Sequence, residues 1–481
     1  MRPGPLTARL YLRALALVAL AAWLSIGVQL RLLVGEDGLL PIAPLLRAAR
    51  GAGLGWRDVP TLFWWGASDR ALVGVVALGA AAALFGVLRP GRAWIALSLP
   101  LYLSVCVAAQ DFCGFQWDNL LLEASLLALF LDARRPAAAA VWLQRLLLVK
   151  LYVESGVAKL LSPVGDWLSG TAMVAYFETA PLPTPLARYV HALPLGVLHA
   201  SAWAVLVVEI VVPLLVFGPR VSRRIAFVIL TAFQLVNFAT AGYGFFVPLA
   251  LALHLWLLDD ETLARLRLRV GVPVPASRRA RLAAAIALAT WCSLSLVEAF
   301  VAFTRAEGPT ALRRLYAPLR VINVYHLFAS VTTELIEPIV EVRTTDEGPF
   351  TELAFRYKPG PLDRSPPFVA PHQPRVDFQL WFHGLAARGP LPRYLARIEA
   401  LLCADPARVA PLFAAPSPAS IRAVRVRYAR YRFTRPGTDA IWRREPLFAR
   451  PEHACDAPPM EEEQALGSRE QRGGTGTSPP L

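Results

Sequence analysis

Apolar residues along this chain come in long blocks separated by short arginine-bearing gaps. That is not the alternation or the three-in-seven stripe of a soluble domain. Blocks near the length a bilayer core requires, about 20 residues, fall at roughly 10–34, 71–89, 139–161, 196–217 and 282–303. Shorter or interrupted ones lie at 93–109, 119–132, 225–241 and 245–258. Read as nine crossings, they predict a multi-pass α-helical membrane bundle over residues 1–304. The apolar stretch from Asn119 to Leu131 is short enough to be re-entrant instead. The first block exceeds the about 7–15 residues of a secretory h-region and lacks a clean small-x-small site, so it reads as a retained anchor.

Beyond Arg305 the period changes. EPIVEVRTTDEGPFTELAFRYK alternates on both sides of a turn at Asp346–Pro349 and predicts two strands. A proline-rich stretch follows, in which no helix or inner strand is expected. In VDFQLWFHGL, residues Val376, Phe378, Leu380 and Phe382 share one parity and predict a strand face, leaving Trp381 and Phe368 outward. Residues 393–413 read as a short amphipathic helix pair. In IRAVRVRYARYRFT, Val424, Val426 and Tyr428 alternate with Arg425, Arg427 and Ala429, the mark of a half-buried antiparallel strand. The expectation is a small extracytoplasmic β-rich (α+β) domain over 305–450. From 451 to 481 periodicity is lost, and a disordered tail is expected.

Composition agrees with a membrane chain. Of 481 residues, 56% are hydrophobic and only 17% charged, with a mean hydropathy of +0.45; soluble domains carry about 25% charge. The net charge of +14 does not imply nucleic acid, because the arginines are scattered between apolar blocks. Thirteen Lys or Arg fall in the alternate gaps that nine crossings place on one side, and five in the others. The bias puts the N-terminus in the cytoplasm and the C-terminal domain outside. Membrane lipids are then the expected surroundings. Five cysteines form no CxxC pair, so neither a zinc site nor thioredoxin chemistry is indicated, and no metal or cofactor is expected. Cys403 and Cys455 both fall in the outward part and would pair in an oxidising compartment, unless Cys455 stays free in an unstructured tail.

Polar residues inside apolar blocks are the other candidates for chemistry. Asp118 and Glu123 open one block, but five residues on a helix is about 140° apart, so they make no dyad by themselves. Asp118 reads as an interfacial cap and Glu123 as a bundle-facing acid. Lys150 and Glu154 have the i, i+4 spacing of a pair, Lys159 near the helix end is placed to snorkel, and Glu209 lies in a later block. A cavity lined by Glu123, Glu154 and Glu209 would suit a transporter or membrane enzyme; polar contacts between helices are the simpler account. The loop 162–195 holds Asp166, Glu178 and His191 but no nucleophile beside a base, no HExxH and no phosphate-cradling loop. No catalytic residue is assigned, and the chain does not read as an enzyme.

An ordered series of segments resembles the lipase maturation factors. It includes GEDGLLP (35–41), PTLFWW (60–65), FQWDNLLLEASLLA (115–128), ETAPLPTPLARYVHALP (178–194), NFATAGYGFF (237–246) and LLDDE (257–261). It continues with INVYHLFASVTTE (322–334), FRYKPGPLDRSPPFVAPHQPRVDFQLWF (355–382) and YRFT (431–434). The resemblance implies a membrane-anchored chaperone that assists folding or assembly of secreted proteins, lipases in the best-known member. In animals such proteins sit in the endoplasmic reticulum membrane, with the C-terminal region associated with client handling. No catalytic residues are carried over. Tyr176 and Ala180 stand where the family pattern leads one to expect His and Gln. The Ala- and Arg-rich composition resembles a bacterial chain, for which the membrane would be the cytoplasmic one. Client contact is expected from the proline-rich signature, through Arg364, Phe368, His372, Arg375 and Trp381.

Overall fold

The computed structural model describes residues 4–265 and 274–456. Two arginines of the charge count, Arg267 and Arg269, and the 457–481 part of the expected tail lie outside the described residues. A bundle of helices is followed by a small antiparallel sheet with helices packed on it.

The chain opens with α1 (Pro5–Gly27), with proline in its first turn, where the missing N–H is no loss. Its free N-terminal amides find a partner far along the chain: the Asp260 carboxylate accepts from the N–H groups of Gly4, Leu6 and Thr7 at 2.9–3.1 Å. Two short helices, α2 (Leu30–Val34) and α3 (Ile42–Gly51), lead to α4 (Asp69–Leu88), whose N-cap Ser68 accepts from the Ala71 N–H. Small residues on α4 let its neighbours approach closely. A Cβ on Gly79 would lie 2.3 Å from the Trp23 ring of α1, and one on Gly86 2.5 Å from Trp94 of α5 (Ala93–Ala108).

There follow α6 (Gln116–Ala128), α7 (Ala138–Leu160), α8 (Ala172–Thr179), α9 (Ala187–His191), α10 (Leu195–Ile210, continued as a 3-10 turn to Phe217), α11 (Arg220–Thr240), α12 (Phe246–His254), α13 (Asp260–Ala264) and α14 (Arg278–Thr304). Each of the nine apolar blocks is mainly helical. Among the described residues, five helices are long and apolar enough to cross a membrane: Pro5–Gly27, Asp69–Leu88, Leu195–Phe217, Arg220–Thr240 and Arg278–Thr304. Helices Ala93–Ala108 and Phe246–Leu257 are apolar but shorter. Helix α7 is long, but it carries Gln144, Arg145, Lys150, Glu154 and Lys159, all buried, and runs through the middle of the bundle.

After α15 (Thr310–Tyr316) comes a sheet of order β2-β1-β3-β4, formed by β1 (Leu335–Arg343), β2 (Thr351–Leu353), β3 (Ala423–Phe433) and β4 (Trp442–Ala449), with β5 (His453–Ala454) pairing β3. Val340 faces Val426, and Pro338 faces Tyr428. Val424, Val426 and Tyr428 are buried as their parity requires, while Arg425 and Arg427 reach Glu341 at 2.7 and 2.8 Å on the other face. A register shift at Tyr428/Ala429 ends the simple alternation. Ala429 and Tyr431 are buried in a second cluster with Leu335, Ile339, Trp381 and Trp442.

Two expectations are corrected here. Residues 376–382 are not a strand but lie in α16 (Arg375–Leu385), entered from Pro374. This helix is wedged between β1 and the end of the bundle. Its residues are buried almost all round, so period-two parity carries no information about it. A Cβ on Gly384 would meet the Ile336 carbonyl oxygen at 2.1 Å, so helix and strand are in direct contact. The stretch 451–456 is not a loose tail. It holds β5 and Cys455, which is disulfide-bonded to Cys403 at the end of α17 (Arg393–Ala404), just before α18 (Pro406–Val409).

Candidate functional site

The polar residues inside the bundle and the proline-rich signature meet in one seam. At its centre Asp118 and Arg375 are both 0% exposed. The guanidinium is bidentate: Nη1 donates to Oδ2 at 2.5 Å and Nη2 to Oδ1 at 2.8 Å. Tyr102 donates its hydroxyl to the same Oδ1 at 2.7 Å, and Arg375 Nη1 also reaches the Phe112 carbonyl at 3.0 Å. Asp118 therefore does not cap α6, whose N-cap is Phe115. Arg375, expected among the client contacts, is instead buried with its guanidinium engaged by the bundle. Breaking a buried pair of this kind costs about 3–5 kcal/mol, since the partner is left charged and dry.

The residues just before Arg375 fasten to α1. The Gln373 N–H donates to Ser25 Oγ at 2.8 Å, and His372 Nδ1 lies 3.0 Å from the same oxygen. Gln29 bridges both ways, donating to the Gln373 carbonyl at 2.7 Å and accepting from the Arg375 N–H at 3.0 Å. His372 is thus tied inward, and burial together with the nearby Arg375 charge lowers its pKa below that of free imidazole. Arg364 donates to the carbonyls of Phe355 (2.7 Å) and Lys358 and braces the loop on itself. Trp381, expected on the surface, is only 9% exposed and donates its indole N–H to the Thr179 carbonyl at 2.7 Å. Burial is what the α16 wedge imposes on it. Phe368 stays open, 49% exposed, with its ring edge-on to Phe238 of α11 at 5.1 Å.

The remaining intramembrane acids are matched one by one. Lys150 pairs with Glu123 at 3.1 Å rather than with Glu154, and donates also to Ser295 of α14. Glu123 accepts in addition from the Trp291 indole, from Asn323 Nδ2 (both 2.8 Å) and from the Tyr325 hydroxyl (2.6 Å). Glu154 accepts from the Tyr325 N–H at 2.9 Å. Lys159 does not snorkel. It is buried, pairs with Glu209 at 2.8 Å and donates to the Leu327 carbonyl at 2.7 Å. The three acids do not line one cavity. Glu123 and Glu154 share Tyr325, while Glu209 with Lys159 lies in the wall of a separate, mostly apolar cavity of about 390 Å³.

Tyr325, Asn323, Ser25, Gln29 and Tyr102 were not singled out from the sequence. The one available signal was the position of Asn323 and Tyr325 inside the segment INVYHLFASVTTE. The sheet domain itself holds a buried pair, Lys358–Glu337 at 2.6 Å, with Lys358 also donating to the Pro181 carbonyl of the bundle. Cys106, Cys113 and Asp118 lie close enough to hold a metal ion, but the bidentate Arg375 already occupies the carboxylate and opposes a cation there.

A multi-pass bundle whose charged interior is completed by residues of a following α+β domain defines a membrane-embedded, two-part scaffold. The chain belongs to the lipase maturation factor family. Residues 6–265 match the lipase maturation factor transmembrane domain, and residues 321–449 match the lipase maturation factor C-terminal domain. It is 30% identical to Lipase maturation factor 2 of Gallus gallus, over 82% of this chain and 72% of that one. The Homo sapiens protein of the same name is 29% identical, over 84% and 75%. Lipase maturation factor 1 of Mus musculus is 27% identical, over 90% and 83%. No solved structure matches.

Proposed function

We propose that this protein is a membrane-anchored maturation factor, without catalytic chemistry of its own, that assists folding or assembly of secreted proteins, with lipases as the clients its relatives' names suggest. The charge bias of its loops favours a cytoplasmic N-terminus and a C-terminal domain on the opposite side, where such clients emerge. The observation that carries the reading is the pairing of each singled-out intramembrane acid with its own cation or donor. Carboxylates held in this way brace a scaffold; a transporter or membrane enzyme would need them free in a shared polar passage.

Client contact on this reading falls to Phe368. It projects from a proline-held segment whose far end is tied down at His372 and Arg375, so an apolar ring is presented with little entropy left to lose. A photo-crosslinking residue at position 368 in the intact protein is expected to capture secreted client chains, while the same residue at 381 captures none. Equal capture from both positions would sink the assignment. Phe368→Asp is expected to lower secreted lipase activity several-fold while the protein's membrane level is unchanged; an unaltered activity would remove Phe368 from the client surface.

A further inference from the structure

The cavity beside the Lys159–Glu209 pair lies apart from the Asp118–Arg375 centre of the seam, and its chemistry narrows the occupant. Its walls come largely from α7, α10 and α11, with Trp117 of α6, Tyr176 of α8, Tyr243 and Phe328 also in the lining. The volume of about 390 Å³ falls in the usual range of ligand sites, about 300–1,000 Å³. Its rim reaches the outside of the bundle on two neighbouring helices. Val197 and Ala204 of α10, and Ala232 and Val236 of α11, line the cavity and are exposed. Both helices are long and apolar enough to cross a membrane, which would set the opening between them against lipid.

The polar lining narrows the choice. Lys159 and Glu209 are the only charged side chains in the wall, and they neutralise each other. A phosphate or carboxylate head would find no free cation there, and a quaternary amine no free anion. Apart from Glu209 Oε2, which Lys159 neutralises, two buried side-chain atoms of the lining lack a hydrogen-bond partner: Trp117 Nε1, a donor, and Gln234 Oε1, an acceptor. Gln234 is 2% exposed and donates its amide to the Tyr152 hydroxyl at 2.8 Å, while its Oε1 has no partner. This amide orientation goes with one tautomer of His254. Tyr152 sits 2.9 Å from His254 Nε2; with the His254 Nδ1–H donating to Thr231 at 3.1 Å, Nε2 takes the tyrosine proton and the tyrosine oxygen accepts from Gln234. A buried acceptor without a donor costs about 1–3 kcal/mol, and an uncharged hydroxyl would satisfy it. Gln234 lies six residues inside the α11 end at Thr240, about 9 Å along the axis at 1.5 Å per residue. That depth suits a glycerol hydroxyl that carries no large head.

We propose that this cavity binds a neutral acylglycerol from the surrounding bilayer: its free hydroxyl donates to Gln234 Oε1, and an acyl chain fills the apolar remainder and leaves between α10 and α11. The test uses the full-length protein in lipid nanodiscs with a diacylglycerol that carries a photoreactive diazirine in one acyl chain. Labelling is expected on cavity-lining peptides around Val205 and Phe233, with competition by unlabelled diacylglycerol. Ala204→Trp with Ala232→Trp fills the rim from its lipid-exposed side, where the larger rings need no repacking, and is expected to cut labelling at least tenfold. Gln234→Leu removes one neutral hydrogen bond and is expected to cut it about fivefold. Labelling unaffected by the tryptophan pair, or stronger labelling by matched phosphatidylcholine or sterol probes, would overturn the proposal.

Discussion

Arg375 illustrates how little a residue's type says about its role once a chain folds back on a membrane bundle. In sequence it is a cation in an extended, polar-looking segment; in the structure it is the dry partner of Asp118. Arg375→Met is expected to destabilise the folded protein by about 3–5 kcal/mol, whereas Arg375→Met with Asp118→Leu costs less than the two single changes together. A double-mutant cycle on thermal midpoints in detergent reads this directly, and additive losses would deny the coupling. Arg375→Lys is expected to lose most of the stabilisation too, because an ammonium cannot reproduce the two-pronged contact. Asp377, two residues on, makes the opposite point about charge. Burial raises its pKa to about 7, against the Tyr357 N–H and the Lys358 charge that lower it. The folded state therefore holds a proton that the unfolded chain releases above the usual carboxylate range. Stability from this group is full at low pH, falls as pH rises towards 7, and is lost above it. Asp377→Asn is expected to flatten that decline between pH 5 and 8. Identical pH slopes for the variant and the wild type would show that Asp377 is not its source.

At the scale of elements, the apolar blocks were legible because length and composition alone decide whether a segment can satisfy its backbone in lipid. Strands β1, β2 and β3 were legible because one face meets a core and the other meets charge. Helix α16 was not. A segment buried between a sheet and a bundle has no polar face to set a period, and its aromatic run matches a strand template by accident. The bond between Cys403 and Cys455 fastens β5 and the chain end to α17 across 52 residues. Cys403→Ser is expected to destabilise the sheet domain by about 2–4 kcal/mol. The check is a lower unfolding midpoint under non-reducing conditions, with no further drop on adding reductant.

For the whole molecule, sequence suggests two separable parts with a boundary near residue 305, and the contacts argue against independence. Deleting 306–481 would strip Tyr325 and Asn323 from Glu123, Leu327 from Lys159 and Arg375 from Asp118. The truncated bundle is expected to fall several-fold in steady-state membrane level, rather than to insert normally without its activity. Quantitative blotting of membrane fractions decides this, and a normal level would show that the seam is dispensable to the bundle. The same coupling explains why the signature stretch joins prolines, a histidine and an arginine: it is the strap that closes one part on the other, with Phe368 left over on its outer side.

The class of molecule was readable from the chain alone: apolar blocks of bilayer length, a β-rich domain after them, and family motifs in order. These follow from local pattern and composition, which each segment carries wherever it sits. Which charge meets which came from the fold: Lys150 takes Glu123 in place of Glu154, and Arg375 and Trp381 face inward. Those outcomes depend on partners tens to hundreds of residues away. A buried charge is stable only where the fold brings its counterpart within hydrogen-bond reach.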